Sequence, residues 1–249
     1  MDQSVGILLN ESSIFLRAAS SQGVRSEVTA LTRKRYEWRG YEAPGAAPKP
    51  NTVVLSAEDP ATGNPIGTIA SRIDGMEGLG CDDAFADIVD ELRAKGLRLA
   101  EFVGLATEPG SSVAALGALF HSAFLFATQV ASANYVLMEI NPRHRAIYTR
   151  SLRFDVLSEI RTCERAKAPA LLLGQHRDVL DARAQELVAL RKNTRADSKN
   201  ILSYFFTPEE AAGVQQRLFG GHAFRDAHRT LRVQWKTPHP GIGATPAQS

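Results

Sequence analysis

Short apolar runs bounded by turn residues recur along the chain and predict β-strands. A β-hairpin is predicted over 51–73, where the apolar runs NTVVLSA and IGTIASRI flank the turn-rich segment DPATGNP. Buried strands are predicted in LRLAEFVGLAT and YVLMEI, because both are almost continuously apolar. Apolar residues spaced three and four apart predict helices in EVTALTRKRYEWRG and AFADIVDELRAKG. This mixture of strands and helices is typical of an α+β fold.

Local start and stop signals set the expected limits of these elements. Asn141 followed by Pro142 ends the strand YVLMEI and should cap a short helix that runs through Tyr148. A final strand pair is expected over 154–165 and 168–173. The other helix caps are expected at residues with short polar side chains, namely Ser26, Asp82 or Asp83, and Ser111 or Ser112.

The pattern changes after residue 175, which predicts two regions. Residues 1–175 hold the strands and helices of the α+β domain, and residues 176–249 read as a helical C-terminal extension. Within that extension Thr207, Pro208 and two acidic residues mark the start of a helix. The last dozen residues, rich in Pro, Gly and Ala, are expected to be disordered.

Charge and composition exclude several classes of protein. The net charge is only +2, so nucleic-acid binding is not indicated. Residues 175–249 carry eleven Lys or Arg and seven Asp or Glu, whereas the preceding residues carry 18 and 20. The basic surplus fits a solvated helical tail or a docking surface for an acidic partner. The N-terminus has no signal-peptide pattern, so we expect a cytoplasmic protein; peripheral membrane contact stays open.

The sequence shows neither a metal-binding motif nor a nucleophile motif. The two cysteines, Cys81 and Cys163, lack metal-ligand spacing, and HExxH is absent. The GxSxG motif of serine hydrolases is absent too, which argues against a covalent acyl-enzyme. The apolar stretch after Ser112 contains His121 and Gln129, which favours a buried helix over a membrane span.

Glu101 is the first candidate for chemistry, because it stands inside an apolar strand. A buried carboxylate is costly unless it is paired or protonated. The expected partner is Arg72, the one charged residue in IGTIASRI. If the two strands are neighbours, the pair could accept a proton from an attacking amine or clamp a polar substrate; a structural ion pair is the alternative. Gly104 in mid-strand predicts a bulge or a close approach by another group, and backbone N–H groups there could hold a thioester oxygen.

Several segments together resemble the N-acyl amino acid synthase family over roughly 10–175. They are IGTIASRI, DDAFADIVDELRAKG, LAEFVGLAT, EINPRHRAIYTRSLRFDVLSEIR and APALLLG. That family is similar to the acyl-homoserine lactone autoinducer synthases, and both have GNAT-like folds. The resemblance implies a central mixed sheet with splayed strands flanked by helices. It also implies transfer of a long-chain fatty acyl group from acyl carrier protein to the amine of an amino acid.

The resemblance further implies roles for particular residues. Glu101 and Arg72 match the family's acidic residue and arginine on neighbouring strands, and Tyr148 would protonate the leaving thiolate, with packing at the sheet edge as its alternative. Asn141 would cap the helix and bind a pantetheine amide as a second role, with capping alone as the alternative. Arg35 and Tyr36 would border the acceptor pocket, unless they belong to a solvated basic face. The substrate site would also include the central-strand residues Phe102, Val103, Gly104 and Leu105.

Two departures from related sequences narrow the expected donor and reaction. The segment EPGSSVAALGAL lacks the Gln/Arg-x-x-Gly-x-Gly/Ala loop that binds the pyrophosphate of CoA. We therefore expect no permanently bound cofactor, and favour the acyl-phosphopantetheine of acyl carrier protein over acyl-CoA as donor. Residues 43–57 contain neither Asp nor Glu, which disfavours lactone formation from S-adenosylmethionine.

Three readings of the function stay open on the sequence. An acyltransferase would have acyl carrier protein and a small amino-acid acceptor as partners. A non-catalytic acyl or acyl-carrier sensor on the same fold would keep the pocket without needing Glu101. A CoA-dependent N-acetyltransferase would bind CoA tightly. Whether the protein forms a homodimer is also left open.

Overall fold

A computed structural model describes residues 4–9, 12–19, 22–42, 51–191 and 201–221 of the chain. Nine strands and six helices lie in these ranges. The strands are β1 Ser4–Leu9, β2 Ser12–Ala18, β3 Thr52–Glu58, β4 Pro65–Ile73, β5 Leu99–Thr107, β6 Tyr135–Ile140, β7 Asp155–Val156, β8 Arg161–Cys163 and β9 Ala168–His176. The helices are α1 Gln22–Glu37, α2 Asp82–Ala94, α3 Val113–Leu125, α4 Arg145–Ser151, α5 Arg177–Arg191 and α6 Pro208–Phe219.

The strands form one mixed sheet in the order β1-β2-β3-β4-β5-β6-β9-β7, and β8 also pairs with β9. Neighbouring strands are antiparallel except β5 and β6, which are parallel. The described pairing of β5 with β6 begins at Leu99 and Tyr135 and ends at Phe102 and Met138. Beyond these residues the two strands separate, so the sheet is splayed at its centre as expected.

A bulge in β5 lies where the two central strands separate. Thr68 pairs with Ala106 and Ala70 with Val103, so one residue of β4 lies opposite two residues of β5. One of those two is Gly104, whose φ of +64° is readily adopted only by glycine. The bulge predicted at this glycine is therefore confirmed, and it bends β5 away from β6.

The two faces of the sheet carry different cores because side chains alternate along each strand. One face packs on α3, which is apolar all round, and includes Phe102 and Met138. The opposite face packs on α2 and includes Leu99 and Leu137. Among the described residues, Val113–Val130 is long and apolar enough to cross a membrane, but 78% of this stretch is buried within the protein. It is the central core helix that the sequence predicted.

Some predicted boundaries were wrong. Helix α1 begins at Gln22, one turn before Ser26. Helix α2 follows Cys81, whose side chain makes no capping bond, while the Asp82 carboxylate accepts the N–H of Leu79 at 2.8 Å. The predicted strand over 154–165 is divided into β7 and β8. Between β7 and β8, the backbone N–H of Leu172 donates to the Ser158 hydroxyl at 2.9 Å instead of to a backbone carbonyl of a neighbouring strand.

Residues 201–204 and α6 of the C-terminal extension pack against α3. Ser112 caps α3, as one of the two predicted serines, and Thr207 with Glu210 forms a capping box at the start of α6. Val214 and Leu218 of α6 join the core on the α3 face of the sheet. The predicted disordered tail lies outside the described residues.

Candidate active site

Arg72 and Glu101 lie directly opposite each other on β4 and β5. Because they share one face of the sheet, their side chains meet, with 3.9 Å between Nη1 of Arg72 and Oε2 of Glu101. The Glu101 side chain is 0% exposed and that of Arg72 is 14% exposed. The neighbouring strands and the shared face expected from the sequence are both present.

The Arg72–Glu101 pair is incompletely satisfied within the protein. Oε2 of Glu101 accepts the N–H of Gly80 at 2.5 Å, whereas Oε1 is buried without a hydrogen-bond partner among the described residues. Arg72 makes one long hydrogen bond from Nε to the Thr52 hydroxyl at 3.4 Å. Buried polar atoms are nearly always hydrogen-bonded, so an orphan carboxylate oxygen beside a loosely held guanidinium is typical of a binding or catalytic site.

Burial raises the pKa of Glu101 to about 7. The charge of Arg72 and the N–H of Gly80 oppose this effect because both favour the carboxylate. Glu139 adds a smaller repulsion that raises the pKa. A carboxyl group that titrates near neutral pH is suited to act as a general base, because its carboxylate is available and still basic enough to accept a proton.

A cavity of about 160 Å³ lies beside Glu101, between α1 and the sheet. Its charged walls combine three basic residues with two acidic ones. These are Arg25, Arg72, Arg165, Glu101 and Glu139. The rest of the lining consists of apolar residues and of residues that carry a hydroxyl group, namely Thr29, Thr32, Tyr36, Thr52 and Thr68. The cavity therefore suits a small, polar, zwitterionic molecule.

A second ion pair in this cavity was not predicted from the sequence. Arg165 contacts Glu139 at 2.7 Å and Asp83 at 2.7 Å. Glu139 had a usable signal, since it is the one charged residue in YVLMEI, as Glu101 is in its own strand. Arg165 had none, because it lies in the turn between β8 and β9 and reaches the cavity through the fold alone.

The structure brings five of the predicted site residues together at the cavity. They are Tyr36, Arg72, Glu101, Val103 and Gly104. Burial raises the pKa of the Tyr36 hydroxyl, and the carboxylate of Glu139 adds to the effect. Tyr36 is therefore protonated at neutral pH and can donate a hydrogen bond into the cavity.

The other five predicted residues lie away from this cavity. Phe102 packs edge-on against Phe120 on the α3 face, with 6.4 Å between ring centroids, and Leu105 borders the same core. The guanidinium of Arg35 lies over the ring of Trp38 at 4.7 Å.

Asn141 and Tyr148 are also held by contacts outside the cavity. The Asn141 side chain accepts the N–H of Arg143 at 3.2 Å and donates to the Tyr41 hydroxyl at 3.0 Å. Tyr148 is buried, with 5.9 Å between its ring centroid and that of Phe120. Burial raises the pKa of Tyr148 to about 12, so its hydroxyl keeps its proton at neutral pH.

The part of the chain that the structure describes offers no set of side chains that could bind a metal ion. No group of three or more His, Cys, Asp or Glu side chains there is placed to hold a metal ion. Both cysteines are buried free thiols, and burial raises the pKa of each. The site is thus built from a carboxylate, a guanidinium and hydroxyl groups.

A mixed sheet that splays at a glycine bulge, with helices on both faces, is the GNAT-like fold that the resemblance implied. The N-acyl amino acid synthase FeeM family matches residues 27–176, and the chain belongs to that family. No curated protein matches the chain by sequence.

Two synthases are among the solved structures that are similar to this chain. FeeM, an N-acyl amino acid synthase from uncultured soil microbes, is 22% identical with a TM-score of 0.61, over 74% of this chain and 95% of that chain. The CoA-dependent acyl-homoserine lactone synthase BjaI is 13% identical with a TM-score of 0.48, over 75% of this chain and 89% of that chain. The likeness to FeeM shows that the two chains share a fold.

Proposed function

We propose that the protein transfers a long-chain fatty acyl group from acyl carrier protein to the amine of an amino acid in the cytoplasm. One observation carries the proposal: the orphan Oε1 of Glu101 and the loosely held guanidinium of Arg72 face one small polar cavity. An α-amino acid offers an amine and a carboxylate about one carbon apart. The amine would bind Oε1, and the carboxylate would bind Arg72.

The reaction then needs one base and no covalent intermediate. The amine attacks the thioester carbonyl, Glu101 takes one proton from the nitrogen, and the C–S bond breaks to release the carrier thiolate. The protonated Glu101 gives this proton to the thiolate, so the products are an amide and a free thiol and the carboxylate is restored. Backbone N–H groups at the Gly104 bulge would stabilise the oxyanion between the splayed strands.

Two features favour acyl carrier protein over CoA as the donor. The segment before α3 lacks the glycine cradle for a pyrophosphate, and carrier-borne phosphopantetheine has no pyrophosphate to bind. Exposed cations at the end of α1 and before α4, among them Arg33, Arg39 and Arg143, would attract an acidic carrier. His144 lies in the same positive field, since burial together with Arg143 and Arg39 lowers its pKa.

The proposal is tested with purified protein, acyl carrier thioesters of several chain lengths and a mixture of amino acids. We expect release of carrier thiol that depends on the amino acid, with an N-acyl amino acid detected by mass spectrometry. A parallel reaction with matched acyl-CoA should be much slower. Equal or faster transfer from CoA would overturn the donor assignment, and absence of thiol release from every thioester would overturn the proposed activity.

A further inference from the structure

The loop between β4 and α2 reaches Glu101 through one backbone N–H. Gly80 donates to Oε2 of Glu101 at 2.5 Å. The glycine fits tightly, because a Cβ at this position would lie 2.7 Å from Nη1 of Arg72 and 3.1 Å from Oε2 of Glu101. The position of the loop backbone therefore controls a contact that stabilises the Glu101 carboxylate.

Arg93 of α2 binds both ends of this loop. At the start of the loop, its Nε and Nη2 donate to the two carboxylate oxygens of Asp74, each at 2.8 Å. At the end of the loop, Nη2 donates to Oδ2 of Asp82 at 2.9 Å. The same Oδ2 accepts the N–H of Leu79, the residue before Gly80, at 2.8 Å.

The Arg93 clamp is buried and does not touch the cavity. The Arg93 side chain is 8% exposed and that of Asp74 is 3% exposed. Burial alone would lower the pKa of Arg93, but hydrogen bonds to Asp74, Asp82 and Asp90 raise it overall, so the cation is firmly held. A planar guanidinium can span two carboxylates in fixed directions, which a lysine ammonium cannot do.

We propose that Arg93 is a positioning residue for the transfer reaction: by clamping Asp74 and Asp82, it holds the loop so that the Gly80 N–H keeps Glu101 ready to accept a proton. This inference rests on the proposed function of Glu101 as the base. The chain of contacts runs from Arg93 to Asp82, to the N–H of Leu79, and through the adjoining peptide to Gly80.

Other charged or titratable groups lie near Glu101 on the elements around it, and the substitutions in the clamp do not replace any of them. They are Arg72 on β4, Glu139 on β6, Arg165 after β8, Tyr36 and Arg25 on α1, and Cys81 beside Gly80. Arg72 and Arg165 lower the pKa of Glu101 and Glu139 raises it. Because the Gly80 N–H also lowers this pKa, loosening the loop should move it upward.

The test compares Arg93→Lys and Asp82→Ala with wild type by the pH dependence of kcat/KM. On the acidic side of the profile, we expect the pH of half-maximal kcat/KM to rise by about one unit. This is the effect of losing one hydrogen bond to a charged acceptor. The matched control is Asp87→Asn, which removes an exposed α2 carboxylate paired with Arg161 at 2.6 Å and leaves the loop untouched. This control should keep the wild-type profile.

A direct titration separates this inference from the proposed function. The Glu101 carboxyl is followed by infrared or ¹³C-glutamate spectra, and the Glu101→Gln spectrum identifies its signal. An upward move of its pKa in Arg93→Lys or Asp82→Ala supports the clamp, even if the transfer reaction is not observed. An unchanged pKa in a folded variant of either kind would show that Arg93 has only a structural role. If the pKa moves but Glu101→Gln keeps full turnover, the clamp stands and the base assignment fails.

Discussion

At the scale of single residues, the Glu101 side chain carries the proposed chemistry, and Glu101→Gln isolates its charge. The amide keeps an acceptor for the Gly80 N–H but cannot take a proton. We expect kcat to fall by about 10²–10⁴-fold, the usual contribution of a general base. Thermal stability should be equal or higher, because a buried carboxylate is replaced by a neutral group. Thiol release and thermal unfolding measure the two effects.

A sensor and an enzyme respond differently to this substitution. In an enzyme that uses Glu101 as the base, turnover falls while the amino acid still binds. If acyl-carrier binding changes and no turnover is seen in either protein, the chain is a non-catalytic sensor. The matched control is Glu186→Gln on α5, an exposed carboxylate in a surface ion pair with Arg153 at 3.0 Å.

The pKa of about 7 at Glu101 sets a second expectation at the residue scale. The base works as the carboxylate, so kcat/KM should rise with pH, reach half its maximum near pH 7, and fall about tenfold per pH unit below that. Rates are measured from pH 5 to 9 at low amino-acid concentration. A half-maximal kcat/KM near pH 4.5, the ordinary pKa of glutamate, would contradict the assignment of Glu101 as a buried base.

The activity should rise with pH as this carboxyl loses its proton, whereas the contribution of the same carboxyl to the free energy of unfolding should fall. The folded-state pKa lies above the unfolded value of 4.5, so the folded protein holds more protons between pH 4.5 and 7. The stabilising contribution of this group is thus complete below pH 4.5 and is lost as the pH rises to 7. Urea unfolding of wild type and Glu101→Gln across this range measures the difference, which should vanish if the group titrates normally.

At the scale of strands and helices, lone charged residues in apolar strands were the most informative pattern. Arg72 and Glu101 were expected to share a face if β4 and β5 were neighbours, and the structure shows both the pairing and the shared face. The same reasoning would have found Glu139 on β6. Gly104 predicted the bulge, since its lack of a Cβ permits the positive φ that turns β5 from β6.

Other features of the elements could not be predicted, because they depend on contacts between distant parts of the chain. Arg165 reaches the cavity only after β8 and β9 have formed, and the clamp by Arg93 depends on where the loop after β4 folds back. Phe102 and Leu105 were placed with the substrate, but strand alternation and the bulge direct them to the α3 core. Local sequence carries no signal for these long-range placements.

At the scale of the whole molecule, the C-terminal extension is joined to the acyltransferase core at His121. Nδ1 of this buried histidine accepts the N–H of Phe206 at 2.8 Å. Its ring stacks on those of Phe205 and Phe206, with centroids 4.8 and 4.9 Å apart. Burial lowers the pKa of His121 to about 3, so the ring stays neutral and can accept this bond. The contact lies on the α3 face, opposite Glu101.

Replacing His121 by Phe keeps the aromatic packing but leaves the Phe206 N–H buried without an acceptor. We expect the free energy of unfolding to fall by about 1–3 kcal/mol, the cost of a buried unsatisfied donor. The KM for the amino acid should change little, because the cavity is on the other face. His121→Asn is the matched control, since its side-chain oxygen can still accept the bond. Urea unfolding and steady-state kinetics separate the two effects. A large rise in KM with unchanged stability would mean instead that the extension shapes the acceptor site, and that the two faces of the sheet are coupled through α3.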